Sequence, residues 1–350
     1  MKRLCLLILV SFLATACGTP FFGKDTTAGP ATLKVMTHDS FAASEDVIKA
    51  FETENNVTLQ FLASGDAGTA LNKAILSKGN PLADVFYGVD NTFLSRALEE
   101  DIFEPYRSPL LKEIPDEFKI DSKNRALPVD YGDVCLNYDK AYFAERSLQP
   151  PQTLDDLLKP EYRSMLVVQN PATSSPGLAF LLTTISYYGE EGYLAYWQAL
   201  KDNDVLVVND WERAYYTEFS RWGGARPIVV SYSSSPPFEV IFSETPISEP
   251  PTAVVTGAGA CYRQIEFAGI LKGTKNRRLA EKWIDFMLST RFQEDIPLQM
   301  YVFPVNPAAR LDEVFVKYLF KPEQPAMLDP ELIAANREAW IQAWSEVVLR

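Results

Sequence analysis

Histidine is almost missing from this chain: His38 is the one imidazole among 350 residues. That scarcity removes the common zinc sites, and none of the four cysteines lies in a C-x-x-C pattern. It also removes most acid–base catalysis. His38 is followed directly by Asp39 and Ser40, and adjacent side chains on extended backbone point opposite ways, so these three cannot converge as a triad. No G-x-S-x-G and no P-loop occurs. Gly257-Ala258-Gly259 begins a dinucleotide fingerprint, but Tyr262 stands where its last glycine belongs. A binding protein is expected rather than an enzyme, with no cofactor and no resident metal.

Positive charge is scarce as well. The chain has 33 Lys and Arg against 46 Asp and Glu, a net charge of −13. This argues against nucleic acid and favours neutral or cationic ligands. Long apolar runs are confined to the N-terminus. There Lys2 and Arg3 precede a mostly apolar Leu4 to Leu13, and Ala14-Thr15-Ala16-Cys17-Gly18 follows. The run is too short to span a bilayer, and the pattern is that of a bacterial lipoprotein signal. Cleavage would remove residues 1–16, leave Cys17 lipidated, and make 17–31 a flexible tether rich in Gly, Thr and Pro. The mature chain would then carry 31 basic and 46 acidic residues, a charge of −15. Its soluble body would be held at a membrane surface outside the cytoplasm. Cys135 and Cys261 would remain, in a compartment that permits disulfides. A Cys135–Cys261 bridge and two buried thiols are both open.

What is present is a regular alternation of short β-branched runs and helical patterns. Strands are expected at 32–37, 57–62 and 83–89, with a helix capped by Ser44 after the first, one led into by Asp66-Ala67-Gly68-Thr69 after the second, and one capped by Asn91 after the third. This is the β-α-β pattern of a parallel sheet covered by helices. Residues 127–138 read as an extended crossing into a second lobe, and 264–271 as the return. Between them the pattern predicts a capping box at Thr153 and Asp156, and strands at 166–169, 205–208 and 228–232. It places helices at 176–188, 190–201 and 212–220, and one after Pro236. An amphipathic helix is expected at 279–288 and a last one at 330–348. The expected architecture is α/β with two lobes, each a mostly parallel sheet flanked by helices, joined by two extended hinge crossings. Lobe I takes 32–130 and 264–308, lobe II takes 131–263, and 309–350 form a C-terminal helical segment.

Two serine-proline turns stand out. Ala172-Thr173-Ser174-Ser175-Pro176-Gly177 and Ser231-Tyr232-Ser233-Ser234-Ser235-Pro236-Pro237 each follow a strand and open a helix. Hydroxyls and free N–H groups at a positive helix end suit an anion. Their place at the C-terminal ends of strands, where open α/β sheets bind ligands, adds weight to Ser174 and Ser175. Asp66-Ala67-Gly68-Thr69 lies at the matching edge of lobe I. Trp211, Tyr232, Phe238 and Tyr301 occupy loop positions from which a ring could sandwich a flat cation. Asp39, Asp66 and Asp90 are the candidate sources of negative charge, with Asp90 ranked last. Tyr215-Tyr216 suggests a second reading, in which paired phenolates with His38 and a carboxylate hold ferric iron. On a helix, the same pair more simply puts one ring in the core and the other in solvent.

These segments carry a resemblance. The chain resembles the periplasmic thiamine-binding proteins of ABC importers, within the type II solute-binding fold, from about Leu33 to Pro307. The similarity lies in Thr37-His38-Asp39-Ser40-Phe41, Ala83-Asp84-Val85 with Gly88-Val89-Asp90-Asn91, and Asp130-Tyr131-Gly132 with Asn137-Tyr138-Asp139-Lys140. It continues through Asn170 to Gly177, Trp211 with Ala214-Tyr215, Ser231 to Pro236, and Ile296-Pro297 with Phe303-Pro304-Val305. The resemblance implies capture of thiamine or its phosphates by a monomer that delivers them to permease subunits. It implies a site lined by Trp211, Ser174, Tyr215 and Tyr232, with Phe238 and Tyr301 stacking on the ligand's rings. His38 and Phe238 stand where the family carries tyrosine, and Tyr301 where it carries tryptophan.

Overall fold

The computed structural model describes residues 30–257 and 259–350. The expected signal, the lipidation site Cys17 and nearly all of the tether 17–31 lie outside the described residues. The first part of the chain forms β1 (Ala31–Thr37), α1 (Glu45–Asn55), β2 (Val57–Ala63), α2 (Ala67–Leu76), β3 (Val85–Asp90), α3 (Leu94–Glu99) and β4 (Phe103–Glu104). The long strand β5 (Leu127–Asp139) leads to α4 (Lys140–Glu145), β6 (Leu166–Gln169), α5 (Ser175–Asp202), β7 (Leu206–Val208), β8 (Ile228–Tyr232), α6 (Ser235–Ile241) and β9 (Thr252–Val254). A second long strand, β10 (Cys261–Leu271), returns to α7 (Arg277–Leu288), α8 (Thr290–Met300), β11 (Phe303–Pro304), α9 (Glu313–Tyr318) and α10 (Pro330–Val348).

The sheet runs in the order β2-β1-β3-β10-β5-β8-β6-β7. β1 is parallel to β2 and β3 at one end, and β6 is parallel to β7 and β8 at the other. β5 and β10 pair antiparallel in the middle, from Cys135↔Cys261 to Leu127↔Ala268. They carry the chain from one half to the other and back, so two α/β lobes share one central ladder. Cys135 and Cys261 are disulfide-bonded across it, at a sequence separation of 126.

Local chemistry explains the elements. α1 turns Val47 and Phe51 inward and ends on Asn56, whose left-handed backbone (φ 49°) donates its N–H to Glu52 O. The two helices expected at 176–188 and 190–201 form α5, broken at Gly189 (φ 72°, ψ 171°). The Trp197 indole donates to Thr184 Oγ1 at 2.9 Å across that break. The segment expected as a helix at 212–220 is a wide π-type turn at Arg213–Glu218, then a single tight turn at Ser220–Trp222.

Asn91 is not a helix cap. α3 begins after Phe93, and Asp90 closes the turn before it, accepting from the N–H groups of Thr92 at 2.7 Å and Phe93 at 3.2 Å. The Asn91 amide instead stitches to β10, donating to Arg263 O and accepting from Ile265 N–H. α8 had no counterpart in the sequence pattern because Pro297 sits inside it. α10 packs on both lobes: Trp344 meets Trp197 of α5 edge-on at 5.4 Å, and the Arg337 guanidinium lies over Phe93 at 5.4 Å. Among the described residues, no helix is long and apolar enough to cross a membrane.

Candidate functional site

A small cavity of about 30 Å³ lies between the lobes, at the strand ends. His38 and Ser40 follow β1 into it, Asp66 faces it from the N-cap of α2, and Glu266 rises from β10. Ser175 and Pro176 at the start of α5, Trp211 after β7 and Tyr232 at the end of β8 face them. Met300 and Val302 close one side. The lobes are drawn together around it. The start of α2 bonds the opposite lobe directly: Gly68 N–H donates to Thr173 O at 3.0 Å, and Trp211 N–H to an Asp66 carboxylate oxygen at 3.2 Å.

The floor is acidic. In the sheet register Glu266 lies opposite Asp90 of β3 on one side and Asp130 of β5 on the other. All three are buried, and like charges opposed across strands repel. The Tyr87 hydroxyl sits 2.6 Å from Asp130 Oδ2 and 3.0 Å from Glu266 Oε2. His38 Nε2 is 3.7 Å from Glu266 Oε1. Burial pushes His38 down, but the Glu266 charge outweighs it and leaves the imidazole above its ordinary value. Burial would likewise raise Glu266, and His38 brings it below the usual carboxylate range. Burial and then the neighbouring Glu266 charge push Asp130 well above that range. Burial also raises Asp66, and pushes Asp90 up to about 6. The Ser174 and Ser175 hydroxyls soften these last two shifts from nearby, without reaching hydrogen-bond geometry.

The opposite wall is aromatic. Trp211 stacks on Tyr215 at 5.1 Å with 16° between planes, and meets Tyr232 and Tyr301 at steeper angles. Its indole N–H donates to Ser231 Oγ at 3.0 Å, and Ser231 Oγ lies 2.9 Å from Ser235 Oγ. The hydroxyls of the second serine turn are thus largely spent on fixing the tryptophan. The Ser234 hydroxyl bonds Tyr301 O, and only Ser233 Oγ lacks a partner. In the first turn Ser174 Oγ and Ser175 Oγ are buried and unpartnered, and Ser175 lines the cavity. The two turns are not equivalent.

An enclosed cleft between two α/β lobes, crossed twice by the chain, is the setting of a captured small molecule. The family model for bacterial extracellular solute-binding proteins matches residues 80–321. The chain belongs to that family. The thiamine-binding periplasmic protein of Salmonella typhimurium is 32% identical over 97% of this chain and 98% of its own length. A solved structure titled periplasmic thiamin binding protein superposes with a TM-score of 0.80 and 30% identity, covering 91% of this chain and 96% of that one. A ferric binding protein from Campylobacter jejuni shares the fold at 19% identity, with a TM-score of 0.71, covering 90% of this chain and 99% of that one.

In this solute-binding protein the expected site residues divide. His38, Asp66, Ser175, Trp211 and Tyr232 come together on the cavity, with Ser174 buried directly behind. Tyr301 sits at the edge, in left-handed backbone (φ 62°), its ring 6.1 Å from Trp211. Three expectations need correcting. Asp39 is exposed and turned away, its carboxylate accepting from Gly65 N–H at 2.7 Å. Phe238 is fully buried because α9 covers it, with Phe315 at 5.5 Å, so it supports Tyr301 and does not face the cavity. Tyr215 is also fully buried and donates to Glu239 Oε1 at 2.5 Å.

That last bond bears on the iron alternative. The Tyr215 and Tyr216 rings are 87° apart, and the exposed Tyr216 hydroxyl turns to Tyr301 at 3.3 Å. Their oxygens diverge. Among the described residues no group of His, Cys, Asp and Glu stands in a metal-holding arrangement. The residues that the sequence reading missed are Glu266, Asp130 and Tyr87, together with Met300 and Val302. A signal existed for the two acids: Val129-Asp130-Tyr131 and Ile265-Glu266-Phe267 each set a carboxylate directly between apolar neighbours within an extended run.

Asp90 costs the fold stability at neutral pH. Its folded-state pKa is raised to about 6, so folding favours the protonated form. Stability is full below its ordinary value and falls as pH rises through about 6. Asp90→Asn is expected to be more stable than the natural chain at pH 7, by on the order of 2 kcal/mol. Thermal melts from pH 4 to pH 7 check this: the advantage should vanish toward pH 4, and a constant difference would refute it.

Proposed function

We propose that this solute-binding protein captures thiamine or its phosphate esters outside the cytoplasmic membrane and delivers them to the permease of an ABC importer. The observation that carries the reading is the cleft's polarity: aromatic faces at Trp211 and Tyr232 stand across from the partly buried carboxylate of Asp66 and the buried one of Glu266. A flat heterocycle with a permanent positive charge needs both surfaces. Two relatives bearing that function in their names, at 32% and 31% identity over nearly the whole chain, support the choice of ligand.

His38, Asp66, Ser174, Ser175, Trp211 and Tyr232 are the proposed contacts, with Tyr301 at the edge. The unpartnered hydroxyls at the start of α5 would take a phosphate where the ligand carries one. The body acts as a monomer held to the membrane by the lipid on Cys17. Calorimetric titration with thiamine, thiamine monophosphate and thiamine diphosphate tests the assignment. Saturable binding of at least one supports it, and binding of none refutes it.

A further inference from the structure

The acidic floor of the cleft holds more carboxylate than its surroundings can neutralise. Asp90, Glu266 and Asp130 stand side by side on three adjacent strands, all buried. One hydroxyl, that of Tyr87, lies within hydrogen-bond distance of both Asp130 Oδ2 and Glu266 Oε2. An O–H has one proton to give, so the Asp130–Tyr87–Glu266 chain is complete only when one of the two carboxyls carries a proton itself. Asp90 Oδ2 and Asp130 Oδ1 have no hydrogen-bond partner, nor do His38 Nε2 and Ser175 Oγ at the cavity wall.

The neighbouring elements supply little positive charge. β1 brings His38, already facing Glu266. The N-cap of α2 brings Asp66, a further carboxylate, while β8 and β10 bring Tyr232, Gln264 and Tyr262. Arg337 on α10 acts on Asp90 only at a distance and bonds Glu338. Arg263 is committed to Asp133 and Arg221 to Glu239.

We propose that the Asp90–Glu266–Asp130 row reads the ligand's positive charge, and that its shared proton leaves to solvent as the cation settles against it. The inference rests on the thiamine reading above. A fixed thiazolium charge beside the row favours the fully ionised carboxylates and displaces the proton that compensated them. The bound state therefore holds fewer protons than the free one, and affinity for the cation rises with pH. A neutral isostere with carbon in place of the ring nitrogen would displace no proton.

The test is calorimetry at pH 7 in phosphate and in Tris, whose ionisation enthalpies differ, with thiamine and with its neutral thiophene isostere. The natural chain should release about 0.5–1 proton per thiamine and none with the isostere, and should prefer the cation by about 10- to 100-fold. Glu266→Gln and Asp130→Asn, each confirmed as folded by thermal melting, should lose the release. Glu266→Gln should also lose most of the preference. Thiamine binding without proton release in the natural chain overturns the proposal and leaves the thiamine assignment standing. Release that persists in Asp130→Asn also overturns it, because the proton would then come from outside the Asp130–Tyr87–Glu266 chain.

Discussion

Gly68→Ala is expected to weaken thiamine binding by about 10- to 100-fold. The residue lies in the first turn of α2, where its N–H donates across the cleft to Thr173 O at 3.0 Å. A Cβ there would meet Ala172 O at 2.9 Å and Thr173 C at 3.0 Å, both backbone atoms of the opposite lobe, and Phe93 Cζ at 2.9 Å. Backbone cannot swing aside as a side chain can, so the lobes must stay apart. Overpacking of this kind costs about 1–3 kcal/mol, and each 1.4 kcal/mol is about tenfold in affinity.

The same substitution favours the helix by up to about 1 kcal/mol, which offsets the contact with Phe93 inside lobe I, and a thermal melt beside the titration separates lost binding from lost folding. The gap would also pull Trp211 N–H away from Asp66, the other bond from the start of α2 to the opposite lobe. Calorimetry with thiamine and small-angle scattering of the free and liganded protein measure the two effects. Natural affinity in Gly68→Ala, with full compaction on ligand addition, would mean that the lobes do not meet at this turn.

Removing the Cys135–Cys261 disulfide should produce the largest loss of stability. The bridge spans 126 residues of sequence and ties β5 to β10, the two strands that cross between lobes. In the chain-entropy account a loop of about that length contributes roughly 4–5 kcal/mol. A Cys135→Ser/Cys261→Ser double variant is therefore expected to unfold at clearly lower denaturant concentration, losing about 3–5 kcal/mol. Neither sulfur lines the ligand cavity, so thiamine affinity of the folded variant should stay within about threefold of the natural value. Equal midpoints for the double variant and the oxidised natural chain would contradict the account.

Much of the fold could be read directly from the sequence because its signals are local. The last helix was expected at 330–348 and spans Pro330–Val348, with Asp329 as its cap. The break in α5 falls at Gly189, between the two expected helices. The extended runs at 127–138 and 264–271 emerged as the central ladder, although β10 begins three residues earlier, at Cys261.

The site was legible where a side chain follows a strand end, as His38, Asp66, Ser175, Trp211 and Tyr232 do. It was illegible where its chemistry depends on register. Glu266 becomes part of a floor only when β10 sets it between Asp90 and Asp130, residues more than a hundred positions away in sequence. Phe238 and Tyr215 failed as ligand contacts for a related reason. A loop aromatic looks the same in sequence whether solvent or a later helix covers it, and here α9 covers Phe238. Asp39 turned away because its carboxylate had a nearer partner in the Gly65 N–H.

Gly88 shows how closely the scaffold serves the site. It adopts φ 104°, and a Cβ there would come within 2.4 Å of His38 Cδ2. Only glycine lets β3 pass so near the imidazole that faces Glu266.

A crystal structure of the protein grown with thiamine tests the central claim most directly. The account predicts ligand density enclosed between the lobes, with the thiazolium facing Glu266 and a ring within about 6 Å of the Trp211 or Tyr232 face. Density on an outer surface, with His38 and Glu266 still filling an unliganded cleft, would contradict it.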